Sequence, residues 1–379
     1  MPTLQKEWNF LCLCASPHSQ PQKIFESLTQ NLLWPALLDL AVQHGVEGLL
    51  ARRLQQVGFT AVPSAIHQSL QNRIRAQQIS SLALMAELFR VVQHFSNAQI
   101  EAVLVKGPVI SLLAYDDPAI RSYVDLDLLL RQRDLRNAML RMLELGFESE
   151  VPESVVRAGK IAGEYVFRRP GTRCTIELHT ESTLRYHPKP IPIDDLFARK
   201  RTLSLDAREV PALSLEDELL VNCIHAAKHL WERLIWVSDV AATVAHHPEL
   251  DWEKLLRAAA DVRATRMLLV AFQLGVLLLG LDVPPRNAAQ IARDKAVASL
   301  CRSILAWLPS AGAAPPLAQR AMFRLKMAGG GLAGAAYLAR LSLSPTHEDW
   351  VTGAEERRSW WWDALHRPFR LFRKYGSTQ

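Results

Sequence analysis

The chain has 379 residues, which is long enough for two or three packed domains. Hydrophobic residues make up 49% and charged residues 22%, and this balance excludes an intrinsically disordered chain. The net charge of +6 permits an anionic partner, but 44 basic residues are nearly matched by 38 acidic ones, so the charge does not single out nucleic acid.

The cysteine pattern and the apolar stretches bear on the compartment. The five cysteines are scattered and have no paired CxxC spacing, which argues against a disulfide framework and against a zinc site. The N-terminus lacks the basic and apolar segments of a signal peptide. Residues 267–281, the most apolar stretch, are fewer than the roughly 20 needed to cross a bilayer and predict a buried helix. We therefore expect a cytoplasmic protein.

Residues 1–97 are predicted to form an N-terminal helical region. Between Pro21 and Asn97, apolar residues recur at spacings of three and four, for example at Leu82, Met85 and Phe89. This spacing places them on one face of a helix, which would pack against the rest of the protein.

Residues 98–187 show short runs that are typical of β-strands, at 100–105, 123–130, 165–168 and 175–178. The sequence Arg169-Pro170-Gly171-Thr172 predicts a hairpin turn between the last two runs. A helix is expected from about Asp134 to Leu145. Strands and helices in this order predict an α+β fold, in which a small mixed β-sheet is flanked by helical regions at both ends of the chain.

After the proline-containing linker at 188–192 the pattern becomes helical again, so residues 188–344 are predicted to form a C-terminal helical domain. Ser214, with Asp217 three residues later, predicts the start of one helix. Further helices are expected from near Asp251 and Arg263. Residues 345–379 remain as a basic, tryptophan-rich tail.

Two carboxylates lie two residues apart in the run Tyr123–Leu130, which is otherwise suited to a buried strand. Because side chains alternate along a strand, Asp125 and Asp127 would share one face. Two neighbouring acids repel each other, and a divalent metal would remove that difficulty, since Mg²⁺ prefers hard oxygen ligands. The alternative is an exposed strand face that carries two solvated acids.

A third acid, Glu177, lies in another predicted strand, where His179 would share its face. If this strand pairs beside the first, three carboxylates converge, as a two-metal phosphoryl-transfer site requires. Lys106 and Gly107 follow the strand at 100–105, where a glycine turn and an exposed lysine would suit a phosphate. Removing Lys106 is then expected to weaken nucleotide binding with little effect on stability, although a lysine and glycine at a strand end are also common in simple turns.

These residues belong to a longer ordered set of motifs: Leu104 to Gly107, Tyr115 to Pro118, Arg121 to Leu130, Ile176 to His179, His225 to His229, and Asp251-Trp252. The set resembles the uncharacterised nucleotidyltransferase family of the polymerase-β-like superfamily, from about residue 30 onwards. The resemblance implies transfer of a nucleoside monophosphate from a nucleoside triphosphate to an unidentified small-molecule, peptide or protein acceptor. A catalytically silent nucleotide- or peptide-binding protein with the same fold is the alternative.

The resemblance also implies roles for individual residues. Asp125, Asp127 and Glu177 would be the catalytic carboxylates and the ligands of Mg²⁺ or Mn²⁺. A second set would contact the nucleotide: Lys106, Gly107, Arg121, Ser122, His179 and His229.

His225 and His229 lie four residues apart, as two zinc ligands on one helix would. Ala226 stands where HExxH needs its glutamate, so a zinc protease is not expected. If one helix ran unbroken through this region, both histidines would lie on one stripe with Glu232, Trp236 and Asp239, and this stripe could close the nucleotide site. The alternative is that both histidines make buried hydrogen bonds between helices.

The tail combines three consecutive tryptophans, Trp360 to Trp362, with several arginines. This composition suits peripheral contact with a membrane, but Pro368 would interrupt a helix there, so docking of the tail on the protein is favoured. Nucleic-acid binding is not expected, because the basic residues are not interleaved with aromatic ones along a strand surface.

Overall fold

The structure is a computed structural model that describes residues 4–59, 61–150, 163–182, 187, 189–310 and 315–343. The predicted tail at 345–379 lies outside the described residues.

Helices make up most of the described chain. In chain order they are α1 (Gln5–Ala15), α2 (Pro21–Leu28), α3 (Trp34–His44), α4 (Glu47–Gln56), α5 (Ser64–Asn97), α6 (Gly107–Tyr115), α7 (Leu135–Glu144), α8 (Ile193–Ala198), α9 (Leu215–Lys228), α10 (Leu234–His246), α11 (Trp252–Asp261), α12 (Thr265–Leu279), α13 (Pro285–Arg293), α14 (Lys295–Trp307), α15 (Leu317–Met327) and α16 (Gly331–Leu343). The strands are β1 (Ala102–Val105), β2 (Asp125–Leu130), β3 (Glu148–Ser149), β4 (Glu164–Arg168), β5 (Thr175–His179), β6 (Arg201–Leu205) and β7 (Arg208–Ala212).

The strands form one mixed sheet in the order β3-β4-β5-β2-β1-β7-β6. Strand β2 lies near its centre, antiparallel to β1 and parallel to β5. The four strands predicted between residues 100 and 178 are confirmed, and so is the α+β fold class. The turn after β4 also forms as predicted, since the Thr172 N–H donates to the Arg169 carbonyl at 3.2 Å.

Two strands lie outside the region where the sequence predicts a sheet. Strands β6 and β7 form a hairpin, and β7 pairs in parallel with β1, with Leu104 opposite Ala212. The residues that join the two strands, Asp206 and Ala207, both have positive φ, at 50° and 60°. The expectation of a purely helical pattern after residue 192 is therefore wrong here, whereas the proposed domain boundaries at 97, 187 and 344 stay a prediction.

Helices of the N-terminal and C-terminal parts pack together around the sheet. Helix α5 contacts β2 and α7, and α6 packs along α10, which also contacts α1. The central strands lie in the core, since Leu104, Leu126 and Leu128 are almost fully buried. The start of α9 is capped as predicted, because the Ser214 hydroxyl accepts from the Asp217 N–H.

The helix that carries His225 ends at Lys228, and α10 begins at Leu234. Between them Leu230 and Trp231 have positive φ, at 58° and 55°, which a continuous helix does not allow. The hypothesis of one unbroken polar stripe from His225 to Asp239 is therefore wrong.

Within the described ranges, no helix has the length and apolar character that a bilayer crossing needs.

Candidate active site

The acidic residues lie on one face of the central strands. In the parallel register of β2 and β5, Asp127 stands opposite Glu177 and Asp125 stands opposite Thr175. Since residues two apart on a strand share a face, Asp125 lies on the same side as Asp127. Asp127 is only 6% exposed, so its charge has to be compensated within the protein.

That compensation comes from two cationic side chains. The Lys106 Nζ lies 2.9 Å from Oδ1 of Asp127, and the His179 Nε2 lies 2.7 Å from the same oxygen. Burial would raise the pKa of Asp127, but Lys106 and His179 outweigh it and hold the pKa well below its usual range. Asp127 is therefore ionised and paired at neutral pH.

Asp125 has the opposite electrostatic environment. Burial, followed by the nearby charges of Asp127 and Glu177, raises the pKa of Asp125 to about 6. The two aspartates thus differ because Lys106 and His179 contact only one of them.

Lys106 lies at the turn between β1 and α6, with φ 55° and ψ −146°. Its backbone N–H donates to Oε1 of Glu218 at 2.7 Å, which holds this uncommon conformation. The expectation of an exposed lysine is wrong, because the side chain is 21% exposed and ion-paired with Asp127. Burial lowers the pKa of Lys106, but Asp127 overrides it and keeps the lysine charged.

Gly107 begins α6 directly after this turn, with φ +37°. A Cβ at this position would meet only ordinary contacts, the nearest being the Asp125 carbonyl oxygen and the Tyr123 ring, both at 3.8 Å. The backbone angle, rather than lack of space, is therefore what favours glycine.

Arg121 and Ser122 lie just before β2 but in different environments. The Arg121 Nε donates to Oδ2 of the buried Asp239 at 2.8 Å, whereas Ser122 is exposed. The remaining guanidinium nitrogens of Arg121 make no hydrogen bond within the described part of the chain. They can therefore still bind an anion.

His229 lies beyond the end of α9, in a small aromatic cluster. Its ring centroid is 4.8 Å from that of His225 and 5.3 Å from that of Trp236. Burial lowers the pKa of His229 to about 3, so the ring is neutral. Neither imidazole makes a hydrogen bond to the described residues, so the interpretation of both as buried hydrogen-bonding histidines does not hold either.

Two glutamates lie at the site but are not among the site residues predicted from the sequence. Glu218 is fully buried, and its Oε2 has no hydrogen-bond partner among the described residues, while burial raises the pKa of Glu218 to about 7. Glu164 stands opposite His179 in the antiparallel pairing of β4 and β5, and so shares its face. A signal for Glu218 was present, since Glu218, Asn222 and His225 form a polar line at helical spacing on an apolar helix.

A cavity opens beside these charges, between residues at the ends of the inner strands β1, β4 and β5 and the helices α9, α12 and α16. Lys106 and His179 lie at one side of it, and Val221, Ile224 and Met267 form an apolar wall. The remaining lining residues are Gly163, Glu164, Glu181, Ser182, His187, His225, Lys228 and Tyr337. A molecule bound here would contact both the charged cluster and an apolar surface.

The residues present fit a metal ion. One donor atom each of Asp127, Glu177 and His179 lies within 4.8 Å of the others. The His179 Nε2 is buried and, although close to two carboxylates, is not aligned for a hydrogen bond with either. Asp125 is not part of this three-donor group, although it shares the sheet face.

Solved structures with some likeness to this chain include a lincomycin-bound lincosamide antibiotic adenylyltransferase, at 14% identity and TM-score 0.32, covering 42% of this chain and 96% of the other. The antibiotic-resistance factor ANT(2'')-Ia matches at 12% identity and TM-score 0.32, covering 46% and 90%. An antigenic nucleotidyltransferase-like protein from Paracoccidioides brasiliensis matches at 18% identity and TM-score 0.29, covering 55% and 93%. TM-scores this low support no conclusion about the function of this chain.

No curated protein matches the chain. A family model described as "Uncharacterised nucleotidyltransferase" matches residues 30–280, which include every strand of the sheet and the acidic cluster. The chain belongs to this family of uncharacterised nucleotidyltransferases.

Proposed function

We propose that the protein is a metal-dependent nucleotidyltransferase, which transfers a nucleoside monophosphate from a nucleoside triphosphate to a small-molecule, peptide or protein acceptor. The register of β2 and β5 carries the proposal, because it sets Asp127 beside Glu177 on the face that Asp125 shares. Such a cluster costs folding free energy through charge repulsion, so its presence favours a functional role. The family supports the reaction class.

In this proposal Asp125, Asp127 and Glu177 bind Mg²⁺ or Mn²⁺ through carboxylate oxygens. When bound, the metal would polarise phosphate oxygens and neutralise charge on the leaving pyrophosphate. The protein contributes a buried, ionised Asp127 and a face on which the acids are already gathered. It therefore need not rearrange its strands to bind the ion.

The reaction forms one bond and breaks one. An acceptor oxygen bonds to the α-phosphorus, and the bond from that phosphorus to the oxygen that bridges to the β-phosphate breaks. Pyrophosphate leaves, and the acceptor proton passes to a carboxylate of the site or to water. A nucleoside monophosphate is thereby attached to the acceptor without any oxidant or reductant.

The triphosphate would lie along the turn that precedes α6. Gly107 begins this helix, but Pro108 has no N–H, and the Val109 and Ile110 N–H groups donate to the Lys106 carbonyl. The charge of Lys106, rather than a set of free helix N–H groups, would therefore attract the phosphates. Arg121 uses its Nε to bond Asp239, so its other guanidinium nitrogens would be available to donate to a phosphate. Ser122 is exposed beside it, and His229 remains a predicted contact from the helical side.

The acceptor would occupy the cavity between the inner strands of the sheet and α9. His179 and Lys106 lie in its wall and both contact Asp127, so a molecule in the cavity lies next to the proposed metal. Val221, Ile224 and Met267 offer an apolar surface on the other side. This arrangement suits an acceptor with a hydroxyl group at one end and an apolar group at the other.

We propose that the protein acts in the cytoplasm. All of its cysteines are buried free thiols. Burial raises the pKa of Cys12 to about 12, so this thiol is kept in its unreactive protonated form.

The test is incubation of the purified protein with each labelled nucleoside triphosphate, Mg²⁺ or Mn²⁺, and a library of acceptors, followed by mass spectrometry. We expect a product heavier than its acceptor by one nucleoside monophosphate, together with released pyrophosphate. Asp127→Asn should abolish the product, and Asp261→Asn, at an exposed position, is the matched control. Equal turnover by the Asp127 variant would refute the proposal.

One observation favours the second candidate, a silent binding protein. Lys106 and His179 both contact Oδ1 of Asp127, so two cations already compensate the acids without a metal. A protein that has given up catalysis could retain its cluster in this way. Nucleotide binding of equal strength with and without divalent metal, and no product with any acceptor, would support this candidate.

A further inference from the structure

His179 is placed by the sheet to face the acids. It is the last residue of β5, two residues after Glu177, so the two side chains share a face. On the other side of β5, the pairing with β4 sets Glu164 opposite His179. His179 therefore shares its face with acidic residues of both neighbouring strands.

The distances around the ring are those of a convergent donor set. The His179 Nε2 is 2.7 Å from Oδ1 of Asp127 and 3.3 Å from Oε2 of Glu177. The nitrogen is buried and ion-paired with both carboxylates, but it is aligned for a hydrogen bond with neither. One donor of each residue lies within 4.8 Å of the others, close enough for one ion to reach all three.

We infer that His179 is a direct metal ligand, and that with Asp127 and Glu177 it forms a mixed nitrogen and oxygen site that selects a first-row transition dication such as Mn²⁺ over Mg²⁺. This inference rests on the proposed metal site, but it concerns the identity of the ligands and of the ion rather than transfer activity.

The donor chemistry decides the preference. Mg²⁺ demands oxygen ligands in near-ideal octahedral geometry and keeps much of its water. Imidazole nitrogen binds transition dications far more readily, whereas carboxylates suit both classes of ion. Mn²⁺ accepts carboxylates and imidazole together, so replacing one oxygen donor of the site by the His179 nitrogen favours Mn²⁺.

Without metal, His179 is a counter-cation beside Asp127, as Lys106 is, and the competing explanation is that it has only this role. As a ligand, the imidazole would release its proton when the ion binds, because only the neutral ring coordinates a metal. As a counter-cation it would keep the proton and oppose metal binding, so its removal would strengthen the binding of every dication. If His179 is a ligand, its removal has the opposite effect. Mn²⁺ binding becomes weaker because a nitrogen donor is lost, and Mg²⁺ binding stays almost unchanged. The two roles therefore predict changes of opposite sign.

The first measurement is electron spin echo spectroscopy of Mn²⁺ bound to the full-length protein without nucleotide. We expect modulation from a directly coordinated ¹⁴N, which changes to the ¹⁵N pattern when only the histidines carry ¹⁵N. Labelling of histidine separates this nitrogen from the Lys106 amine. Absence of a coordinated nitrogen in the wild-type protein would overturn the inference, with no variant needed.

The second measurement compares Mn²⁺ and Mg²⁺ affinities of the wild type and His179→Gln by calorimetric titration. Since even outer-shell partners of metal ligands contribute about tenfold or more to affinity, Mn²⁺ binding should weaken by at least about tenfold, with little change for Mg²⁺. The exposed His18, whose side chain makes no contact with the site, supplies the control variant His18→Gln. Tighter binding of both ions by His179→Gln would show the counter-cation role instead.

These results do not depend on the proposed activity. Nitrogen coordination and Mn²⁺ preference without any nucleotide transfer would support the metal site and count against the enzyme. Transfer that runs equally well with Mg²⁺, with no nitrogen coordination, would support the enzyme and refute the role of His179.

Discussion

Two ion pairs with buried carboxylates, those of Asp239 and Asp127, contrast in design. In the first, both oxygens of Asp239 are used: Oδ1 accepts from the Tyr115 hydroxyl at 2.9 Å, and Oδ2 accepts from the Arg121 Nε at 2.8 Å. In the second, Lys106 and His179 both contact the same oxygen of Asp127. The first carboxylate is paired through both of its oxygens, whereas both cations of the second contact Oδ1.

The difference indicates different roles. A buried carboxylate that is hydrogen-bonded through both oxygens rigidifies the elements that it joins, here the segment before β2 and α10. Among the described residues, the Asp127 cluster leaves Oε2 of Glu218 without a hydrogen-bond partner, and Nε2 of His179 ion-paired but without an aligned hydrogen bond. Unsatisfied polar atoms cost stability, and they are expected where a ligand completes the set. The Arg121 pair therefore holds the site in place, and the Asp127 pair is free to exchange partners.

The largest expected effect is at the satisfied pair. Asp239→Asn leaves the Arg121 guanidinium buried without its counter-ion, and breaking a buried pair in this way costs about 3–5 kcal/mol. The measurement is the free energy of unfolding in urea. Asp261→Asn, at an exposed position, should change this free energy by less than about 0.5 kcal/mol. If Asp239→Asn lowered the free energy of unfolding by less than about 1 kcal/mol, the Arg121–Asp239 pair would not stabilise the fold in this way.

The next effect is at Asp127. Asp127→Asn should weaken binding of divalent metal and of the metal–triphosphate complex by about a hundredfold or more, because it removes a ligand and not merely an outer-shell partner. The fold should persist, because the loss of the ion pairs with Lys106 and His179 is partly offset by the relief of repulsion with Asp125 and Glu177. Calorimetric titration with Mn²⁺, together with circular dichroism, measures both. A variant that loses its fold but keeps metal affinity per folded molecule would reverse the assignment.

A smaller effect is expected at Lys106. Lys106→Met keeps the apolar stem but removes the charge, and charge-assisted phosphate contacts contribute about 1.5–3 kcal/mol, so nucleotide affinity should fall about tenfold or more. Since the lysine is paired with Asp127, the metal-free variant should also lose stability, contrary to the expectation for an exposed residue. Added Mn²⁺ should restore that stability by replacing the missing charge. If Mn²⁺ did not reverse the loss of stability in Lys106→Met, the role of Lys106 would be purely structural.

Local rules were enough to predict the strands that carry the acids. The alternation of side chains along a strand put Asp125 and Asp127 on one face, and the pairing of β2 with β5 has this geometry. The hairpin turn at Pro170 and Gly171 was also readable, because proline and glycine have distinct backbone preferences. Such features depend only on neighbours in sequence.

The missed features depend on residues that are distant in sequence or on turns without a signal. In the turn of the β6–β7 hairpin, Asp206 and Ala207 have positive φ. Such turns usually contain glycine or asparagine, and without either residue the sequence does not indicate a hairpin. The helix break at Leu230 and Trp231 has neither glycine nor proline, and packing holds it, with Trp231 fully buried. The contact from Glu218 to the Lys106 backbone spans 112 residues, so no local pattern could show it.

The smallest effect concerns His44, which helps to hold the helix that carries Asp239. The Leu234 N–H, at the start of α10, donates to Nδ1 of His44 at 3.1 Å. Burial, with a further contribution from the Arg233 charge, lowers the pKa of His44 to about 4. Because the pKa in the unfolded chain is about 6.5, the unfolded state binds more protons between these values, and stability falls as the pH falls through this window.

For one such histidine, lowering the pH from 6.5 to 5.5 should cost about 1 kcal/mol of unfolding free energy. Other groups, Asp125 among them, titrate in the same range, so the wild type has to be compared with a variant that lacks only the His44 proton site. His44→Asn serves, because its Oδ1 can take the place of Nδ1 and accept from Leu234 without titrating. Urea unfolding at both pH values should show a decrease that is smaller in the variant by about 1 kcal/mol. If both proteins lost the same free energy, His44 would bind its proton in the folded state as readily as in the unfolded one, and the start of α10 would not depend on a neutral imidazole.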